Sequence, residues 1–576
     1  MMKISLASNS GFCMGVKNAV LRIVNEINSG NEDISVYGPL IHNPQTIEVL
    51  KSRGLITIDN LDAIDNRTVA IRTHGVTFDI QNEIREKASR CINLTCPRVA
   101  RVQGIIKRYA QEEYFTLITG DRNHAEVIGL MSYATSGAFI ITDIGDIDKI
   151  ALKEKLILVS QTTFDSMLFN RIELLLKEKF PDIIVFNTIC DSTYKRQGDV
   201  IYAIEHGIDA LVVVGGKNSA NTKRLAQIGI DQGIKTLHIE TEKDLKHHDF
   251  NDVIHVLVTA GASTPGWIIN NVLDCLYDFK YQKSNIIISL LKRSIEFFVR
   301  TNILFAITSF FITCFVQLYL LKAIDYRLSF LSFFYFLSVN TISNYSQINY
   351  LKTSNPYKFS LYNKWKKSFL FLSFSSLFIS FLLTLNYDWP IIVTYVSTLF
   401  GLIPLTGIMG NIIHKTKDGF YQSLYNAQIF ITSGIWMVIS AILPAMHLGI
   451  DLSLTLPLLL FLYTFFLMRN ILLSIISHQG DIIQGKESFP IRQGARITRL
   501  ISIGISAISL IIYVISSLIH SYYIMTFFSF TIIYYCVLLI FFLRLNYLIS
   551  LKYEFLVELN LLLFIVLYLI AITVYY

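Results

Sequence analysis

Acidic residues are scarce in the second half of this 576-residue chain, where only 9 of the 43 Asp and Glu residues lie beyond Ile295. Runs rich in Phe, Leu, Ile, Tyr and Ser take their place, and several are long enough to cross a bilayer. The first 285 residues have the composition of an ordinary α/β chain. We therefore predict an α/β domain over residues 1–280, a linker over 281–296 and a membrane domain over 297–576.

A secretory leader and a disulfide framework are both missing from the first domain. The N-terminal MMKISLASNSGFC has no long apolar core, and the seven cysteines are widely spread along the chain. We expect this domain to be cytoplasmic, with reduced thiols. The net charge of +7 does not indicate a nucleic-acid partner, because much of the excess lies in short loops between the apolar runs.

About nine apolar runs divide the second domain, which predicts an all-α bundle of about nine transmembrane helices. One or two spans would suffice to anchor the protein, so nine spans suggest a helical bundle with a function of its own. Loops after the second, fourth, sixth and eighth runs are basic, and basic loops stay on the cytoplasmic side. This predicts a multi-pass protein of the inner (cytoplasmic) membrane with its first domain in the cytoplasm. The runs lie near residues 298–321, 328–343, 368–386, 389–410, 427–446, 453–473, 499–519, 522–543 and 555–576.

In the first domain, β-rich apolar runs alternate with segments of helical period, which predicts parallel α/β sheets. Such sheets carry their chemistry at the carboxyl ends of the strands. Cys13, Cys96 and Cys190 each stand where a loop enters a helix, 83 and 94 residues apart, which suggests three similar units. Helix N-termini favour thiolates, and thiolates hold iron–sulfur clusters. The alternative is three buried apolar cysteines.

Three histidines, His42, His74 and His124, also follow strands directly. A lone histidine is more often structural, but cationic imidazoles together with helix N-termini would suit a diphosphate. The loops GGKNSANTKRL and TAGASTPGW could add backbone and side-chain donors. Neither loop is a Walker or a dinucleotide-binding motif.

Glu126 and Thr162 are the candidate proton carriers. Near an anionic ligand Glu126 could deliver a proton, although an acidic residue in the first helical turn is also favoured by the helix dipole alone. Thr162, in QTTFD, could donate hydrogen bonds or simply cap a helix.

Nine motifs occur in order over residues 11–265: GFCMGV, HNP, RTHGV, TCPRV, HAEV, SQTT, NTICDSTYKRQ, GGKNSAN and TAGASTP. This region resembles 4-hydroxy-3-methylbut-2-enyl diphosphate reductase along essentially its full length. The resemblance implies three pseudo-equivalent α/β units around a central [4Fe–4S] cluster, reduction of that substrate to isopentenyl and dimethylallyl diphosphate, and ferredoxin or flavodoxin as electron donor. It implies cluster ligands Cys13, Cys96 and Cys190, diphosphate ligands His42, His74, Ser219, Asn221 and Ser263, and a proton relay of His124, Glu126 and Thr162, in which His124 and Thr162 also bind the substrate.

Two positions depart from the family pattern. Ala125 stands where the family usually has Pro, which removes a rigid helix start but no functional group. Ala220 stands where the family usually has Ser, which removes one diphosphate donor. We expect weaker binding rather than lost activity, since a hydrogen bond to a charged group contributes roughly 1.5–3 kcal/mol.

The second domain resembles the intramembrane aromatic prenyltransferases, chiefly through HQGDIIQGKESFPIRQG at residues 478–494. That family holds Mg²⁺ and diphosphate with Asp-rich motifs. Here NTISNYSQIN offers Asn340 and Asn344 without Asp, and Ser474 and Ser477 stand where Asp is expected beside Asp481. Asn and Ser are poor substitutes for the carboxylates that Mg²⁺ prefers. Asn340, Asn344 and Asp481 form a candidate membrane site, which would use Mg²⁺ only if prenyl transfer occurred.

Three functions are compatible with this sequence. The first is a reductase tethered to a membrane domain that binds a lipid or prenyl ligand. The second is a bifunctional enzyme whose membrane half also transfers prenyl groups. The third is a non-catalytic iron–sulfur sensor in the membrane. The histidines and the pair Glu126 and Thr162 count against the sensor, which needs the cysteines but no proton relay.

Overall fold

The computed structural model describes residues 2–29, 34–64, 66–151, 155–282, 286–321, 324–348, 350–351, 355–402, 427–484, 488–519 and 554–558. These residues form two compact units, the first built mainly from Met1–Lys283 and the second from most of the remaining chain. Each unit is described by itself.

Twelve short strands and nine α-helices, with four short 3₁₀ turns, form the described part of the first unit. The strands are β1 (Lys3–Leu6), β2 (Ile34–Tyr37), β3 (Ile56–Ile58), β4 (Thr68–Ile71), β5 (Arg90–Asn93), β6 (Phe115–Thr119), β7 (Ala138–Ile141), β8 (Leu156–Ser160), β9 (Ile184–Val185), β10 (Ala210–Val214), β11 (Lys235–Ile239) and β12 (His255–Ala260). The helices are α1 (Met14–Asn28), α2 (Pro44–Ser52), α3 (Phe78–Lys87), α4 (Pro97–Gln111), α5 (Ala125–Met131), α6 (Ser166–Lys179), α7 (Asp191–Glu205), α8 (Ala220–Asp231) and α9 (Gly266–Gln282).

The strands form three four-stranded parallel sheets with the orders β3-β2-β4-β5, β7-β6-β8-β9 and β11-β10-β12-β1. All three follow one connection pattern, except that the fourth strand of the last sheet is the first strand of the chain. Lys3 pairs with His255 and Leu6 with Val258. The prediction of three pseudo-equivalent α/β units is thereby confirmed.

The periodicity of the sequence accounts for the packing of these layers. Strands β8 and β10 are buried along their whole length, as parallel strands covered on both faces should be. Helix α1 buries residues at positions 16, 19, 20, 23 and 24, the spacing of one helical face. Each fully buried Val or Ile contributes about 1.5–3 kcal/mol, so these faces hold the helices against the sheets.

Helices alone build the described part of the second unit. They are α10 (Ile286–Arg300), α11 (Ile303–Leu321), α12 (Tyr326–Ser346), α13 (Pro356–Lys364), α14 (Lys366–Thr384), α15 (Trp389–Leu402), α16 (Gln428–Met437), α17 (Leu443–His447), α18 (Leu452–Gln484) and α19 (Phe489–Ile519). Part of the predicted linker is thus helical, in α10. Aromatic rings fill the core, where Phe305 lies 4.7 Å from Trp436 and 5.2 Å from Phe336 between ring centroids.

Three described helical segments are long and apolar enough to cross a membrane: α14 (Lys366–Thr384), α16 and α17 joined by the π-helical turn Val438–Ile442 (together Gln428–His447), and part of α18 (Thr455–His478). A fourth span forms if Arg293–Arg300 and Ile303–Leu318, bent by 73° at their junction, are taken together. The apolar helix Trp389–Leu402 is shorter. Nine spans are therefore not confirmed. The predicted run 522–543, residues 403–410 and most of 555–576 lie outside the described residues.

Candidate active site

An open cavity, about 720 Å³ with the solvent space at its mouth included, lies where the carboxyl ends of the three sheets meet. Every residue predicted for the reductase site lines it, with the single exception of Glu126. The lining residues from that prediction are Cys13, His42, His74, Cys96, His124, Thr162, Cys190, Ser219, Asn221 and Ser263. The structure thus brings together side chains that lie up to 250 residues apart in sequence.

Each sheet supplies this cavity in the same way, from the loops after its second, third and fourth strands in the sheet order. The loops after β2, β4 and β5 carry His42, His74 and Cys96; those after β6, β8 and β9 carry His124, Thr162 and Cys190; those after β10, β12 and β1 carry Ser219, Ser263 and Cys13. The cysteine always follows the fourth strand. The repeated topology therefore explains why the three thiols converge.

A backbone hydrogen bond fixes each cysteine to the neighbouring loop of its own sheet. The N–H of Cys96 donates to Thr73 O (2.9 Å), that of Cys190 to Thr162 O (2.9 Å), and that of Cys13 to Ala262 O (3.0 Å). All three acceptor residues line the cavity. The cysteines are therefore held in fixed positions relative to the loops that line the cavity.

All three cysteines are N-cap residues, of α1, α4 and α7. Burial raises the pKa of the Cys96 thiol, and the N–H groups of Arg98 and Val99 act in the opposite direction. At Cys96 the predicted helix-end effect is therefore present but is outweighed by burial. A coordinating thiol is deprotonated by the metal itself.

The residues present fit an iron–sulfur cluster. Gly15 lies so close to Cys96 that a Cβ on it would stand 2.6 Å from Sγ, so only glycine leaves room for the sulfur. Within the described ranges, no three His, Cys, Asp or Glu side chains are grouped to hold a single metal ion. Three cysteines around one larger cavity suit a polynuclear cluster, which occupies more space than one ion.

The three histidines form a compact group. Ring centroids are 4.8 Å apart for His42 and His74, 5.3 Å for His74 and His124, and 6.1 Å for His42 and His124. Burial and the neighbouring imidazoles lower the pKa of His42 to about 3, and burial also lowers the pKa of His124. The cationic form that the sequence suggested therefore requires an anionic ligand, whose charge would raise both pKa values.

Glu126 lies directly behind the cavity wall, at 1% exposure, as the second residue of α5. Its carboxylate accepts the backbone N–H of Thr162 (2.6 Å) and the Thr162 hydroxyl (3.0 Å), and Nδ1 of His74 is 3.9 Å away. Burial acts to raise the pKa of Glu126, but His74, Thr162 and His124 together outweigh it and lower the pKa. A proton leaving Glu126 for the cavity therefore meets Thr162 or a histidine first.

The third sheet contributes neutral donors to the cavity. Ser219 is the N-cap residue of α8, which places the start of that helix at the cavity. Asn221 is 4% exposed, and neither Nδ2 nor Oδ1 has a partner among the described residues. Ser263 donates its hydroxyl to His42 O (3.2 Å). A buried amide without partners at a helix N-terminus is suited to an anionic ligand.

Arg196 does not line the cavity, but it contacts the segments that carry two of the cysteines, and sequence reasoning missed it. It is buried in α7 and donates hydrogen bonds to Gly11 O and to Ser192. The signal was present in the sequence: an arginine stands six residues after Cys190, whereas Ala19 and Val102 occupy the same offset after the other two cysteines.

A second cavity lies within the membrane unit and is lined by all three residues of the candidate membrane site, Asn340, Asn344 and Asp481. Asp481 accepts the hydroxyls of Tyr350 and, at 3.0 Å, Ser477. Charged residues of both signs share this cavity, namely Lys358, Arg469, Glu554 and Glu558. The structure therefore joins two separated sequence motifs, but both oxygens of Asp481 are engaged by neighbouring side chains.

Residues 4–277 match the family described as LytB protein. The 4-hydroxy-3-methylbut-2-enyl diphosphate reductase of Campylobacter jejuni (strain 81-176) is 42% identical over 281 residues, which are 48% of this chain and 99% of that protein. The enzyme of the same name from Geobacter sulfurreducens is 37% identical over 286 residues, 49% of this chain and 99% of that protein.

Solved structures give weaker matches. The E-1-hydroxy-2-methyl-but-2-enyl-4-diphosphate reductase of Plasmodium falciparum is 29% identical with a TM-score of 0.45, covering 48% of this chain and 88% of that chain. A membrane digeranylgeranylglyceryl phosphate synthase is 16% identical with a TM-score of 0.33, covering 49% and 96%. At these scores neither structure adds to the assignment. The sequence matches do suffice: through its first half, this chain belongs to the 4-hydroxy-3-methylbut-2-enyl diphosphate reductase family.

Proposed function

We propose that the first unit reduces 4-hydroxy-3-methylbut-2-enyl diphosphate to isopentenyl diphosphate and dimethylallyl diphosphate. Two electrons and two protons enter, the C–O bond to the terminal hydroxyl breaks, and one water leaves. The observation that carries this proposal is the convergence of three cysteines, three histidines and a buried, unpartnered Asn221 on one cavity of a chain from this family.

Cys13, Cys96 and Cys190 would hold the [4Fe–4S] cluster that the family implies, which would supply electrons and Lewis acidity towards the substrate hydroxyl. Gly15 keeps the space beside Cys96 free for it. The natural reductant is proposed to be ferredoxin or flavodoxin, since each delivers electrons singly to such clusters.

The diphosphate is proposed to bind His42, His74, Ser219, Asn221 and Ser263. Asn221 has both amide atoms available, and the α8 N-terminus favours negative charge. Entry of the anion raises the pKa of the buried histidines, so each protonated imidazole strengthens the binding of the next phosphate oxygen. The site thus acquires its positive charge together with its ligand.

Proton delivery is proposed to involve Glu126, Thr162 and His124. The lowered pKa keeps Glu126 ionised in the free site, and the charge of the bound diphosphate raises this pKa so that the carboxylate takes up a proton. Thr162 touches both Glu126 and the cavity, so its hydroxyl can then pass a proton from the carboxyl to the leaving oxygen. His124 caps α5 through Nδ1, 3.2 Å from the Glu126 N–H. Because Glu126 is screened from solvent, the proton goes to the substrate rather than to bulk water.

The second unit is proposed to place the enzyme in the inner (cytoplasmic) membrane, with the reductase unit in the cytoplasm. The apolar helices of this unit support its location in a membrane. The alternation of basic loops supports the orientation with the reductase unit on the cytoplasmic side. Its large polar cavity at Asn340, Asn344 and Asp481 supports a lipid or prenyl ligand. Prenyl transfer with Mg²⁺ is the second candidate; engagement of Asp481 by two hydroxyls argues against it.

The test is anaerobic turnover of 4-hydroxy-3-methylbut-2-enyl diphosphate by the purified chain with an artificial one-electron donor. We expect turnover in the wild type, its loss in Cys96→Ser, and its retention in the control Cys275→Ser, whose thiol lies on α9 and does not line the cavity. Full iron content without turnover would contradict the proposal and favour an iron–sulfur sensor.

A further inference from the structure

A buried arginine distinguishes one of the three cysteine-bearing helices from the other two. Arg196, six residues after Cys190, is 3% exposed, whereas the same offset after Cys13 and Cys96 holds Ala19 (3%) and Val102 (1%). The repeated fold therefore accepts small apolar side chains at this position. Burying a guanidinium is unfavourable unless something compensates it, so packing alone does not account for Arg196.

The contacts of Arg196 join two of the cysteine elements. Nη2 donates to Gly11 O (2.5 Å), two residues before Cys13, and Nη1 donates to Ser192 O (2.9 Å), two residues after Cys190. A second link runs beside it, because Asp199 accepts the N–H of Asn9 (2.8 Å) and its side-chain amide. Buried hydrogen bonds from Arg196 and Asp199 thus hold the loop before Cys13 against α7.

The charge of Arg196 faces two cysteines as well as a carboxylate. Its hydrogen bonds go to uncharged oxygens, and Asp199, three residues further along α7, keeps its negative charge while accepting hydrogen bonds from Asn9. Burial lowers the pKa of Arg196, while Cys13, Cys190 and Asp199 act to raise it; an arginine keeps its proton under such conditions. Nε is buried and has no partner among the described residues.

We propose that Arg196 is a positioning residue for the iron–sulfur cluster: it fixes the Cys13 loop to the Cys190 helix, and its free Nε–H and positive charge stabilise the reduced, more anionic cluster. This inference rests on the cluster proposed above. Positive charge and hydrogen bonds at the sulfurs raise the reduction potential of such clusters. Arg196 therefore makes the cluster easier to reduce.

The experiment uses the full chain in detergent, with iron and sulfide content determined and the reduction potential measured by titration followed by electron paramagnetic resonance. The variants are Arg196→Gln, which removes the charge, and Arg196→Lys, which keeps the charge but loses the guanidinium fork. The matched control is Arg101→Gln, an exposed arginine five residues after Cys96 on α4.

We expect a more negative potential in Arg196→Gln, a smaller shift in Arg196→Lys, and wild-type values in Arg101→Gln. A cluster in Arg196→Gln with the wild-type potential would overturn the inference, even if less iron is bound, since Arg196 would then be purely structural. If Arg196→Gln holds no iron, Arg196→Lys decides: a lowered potential supports the inference, and an unchanged one overturns it. A wild-type chain that binds no iron would instead refute the proposed function, together with this inference.

Discussion

At the scale of single residues, Glu126 has both carboxylate oxygens occupied by one neighbour, Thr162. Glu126→Gln keeps the shape of the side chain but cannot carry a proton. We expect turnover to fall about 10²–10⁴-fold, the usual range for loss of an acid–base group, with iron content unchanged. The exposed pair Glu173 and Lys177 supplies a control, Glu173→Gln, which should turn over normally. Normal turnover in Glu126→Gln would remove this residue from the relay.

Ala220 lines the cavity as the first residue of α8, between Ser219 and Asn221. Serine here would add one donor towards the proposed diphosphate. Since a hydrogen bond to a charged group contributes roughly 1.5–3 kcal/mol, we expect Ala220→Ser to lower KM about tenfold or more and to leave kcat unchanged. Steady-state kinetics with the natural substrate measure this. An unchanged KM would show that the diphosphate does not reach the start of α8.

Ligand binding should take up protons, because His42, with its pKa at about 3, and His124, with its pKa also lowered, are largely neutral in the free site at pH 7. A bound anion raises these pKa values, so affinity falls as pH rises through the pKa values of the complex. Calorimetry of inorganic diphosphate in two buffers of different ionisation enthalpy counts the protons. The His42→Asn variant should take up fewer protons than the wild type when diphosphate binds. Equal proton uptake by the two proteins would show that groups other than His42 take up the protons.

Individual site residues were predictable where they stand at strand–helix junctions, as the three cysteines and three histidines do. Arg196 was not found, because an arginine inside a helix usually faces solvent and only alignment of the three cysteine segments reveals the offset. The sequence also did not show that Glu126 lies behind Thr162 rather than in the cavity. The position of Glu126 depends on tertiary packing, because Thr162 follows a different strand and covers the carboxylate only in the folded protein.

At the scale of elements, α5 begins at Ala125 after an N-cap, His124, whose backbone is already extended (φ −78°, ψ 136°). Proline is favoured at the first position of a helix and requires an extended preceding residue. Ala125→Pro should therefore raise the free energy of unfolding by about 0.4–1 kcal/mol, by restricting the unfolded chain. Thermal unfolding of the apo chain measures it. A lower stability would mean that the α5 start needs the freedom of alanine.

Alternation of strands and helices in the first half was visible in the sequence because buried parallel strands are continuous apolar runs. Strand partners were less visible: β1 has four residues, and nothing in KISL identifies β12 as its neighbour. In the second half, hydropathy found the apolar helices. Hydropathy did not show that part of the predicted linker belongs to helix α10. This helix is amphipathic and runs directly into the first apolar run, so hydropathy alone did not separate the two.

At the scale of the whole molecule, each unit has its own core. Clusters around Phe164 and Phe169, and around Val102 and Ile118, are built entirely from residues of the first unit. We therefore expect residues 1–282 to fold alone and to reduce the substrate with a kcat within about twofold of the full chain, as independent domains do. Sedimentation and anaerobic kinetics would check this. Lost turnover with an intact cluster would show that the membrane unit contributes to the reaction.

Pairing of β1 with β12 also bears on how the protein is made. Ribosomes add about 5–20 residues per second, and Lys3 pairs with His255, so β1 waits roughly 12–50 s for its partner. The sheets built from β2–β5 and β6–β9 can form earlier, because their strands are contiguous in the chain. Cys13 is thus the first of the three thiols to be synthesised and the last to reach its place. Assembly of the proposed cluster on all three cysteines therefore has to wait until β12 has been synthesised and has paired with β1.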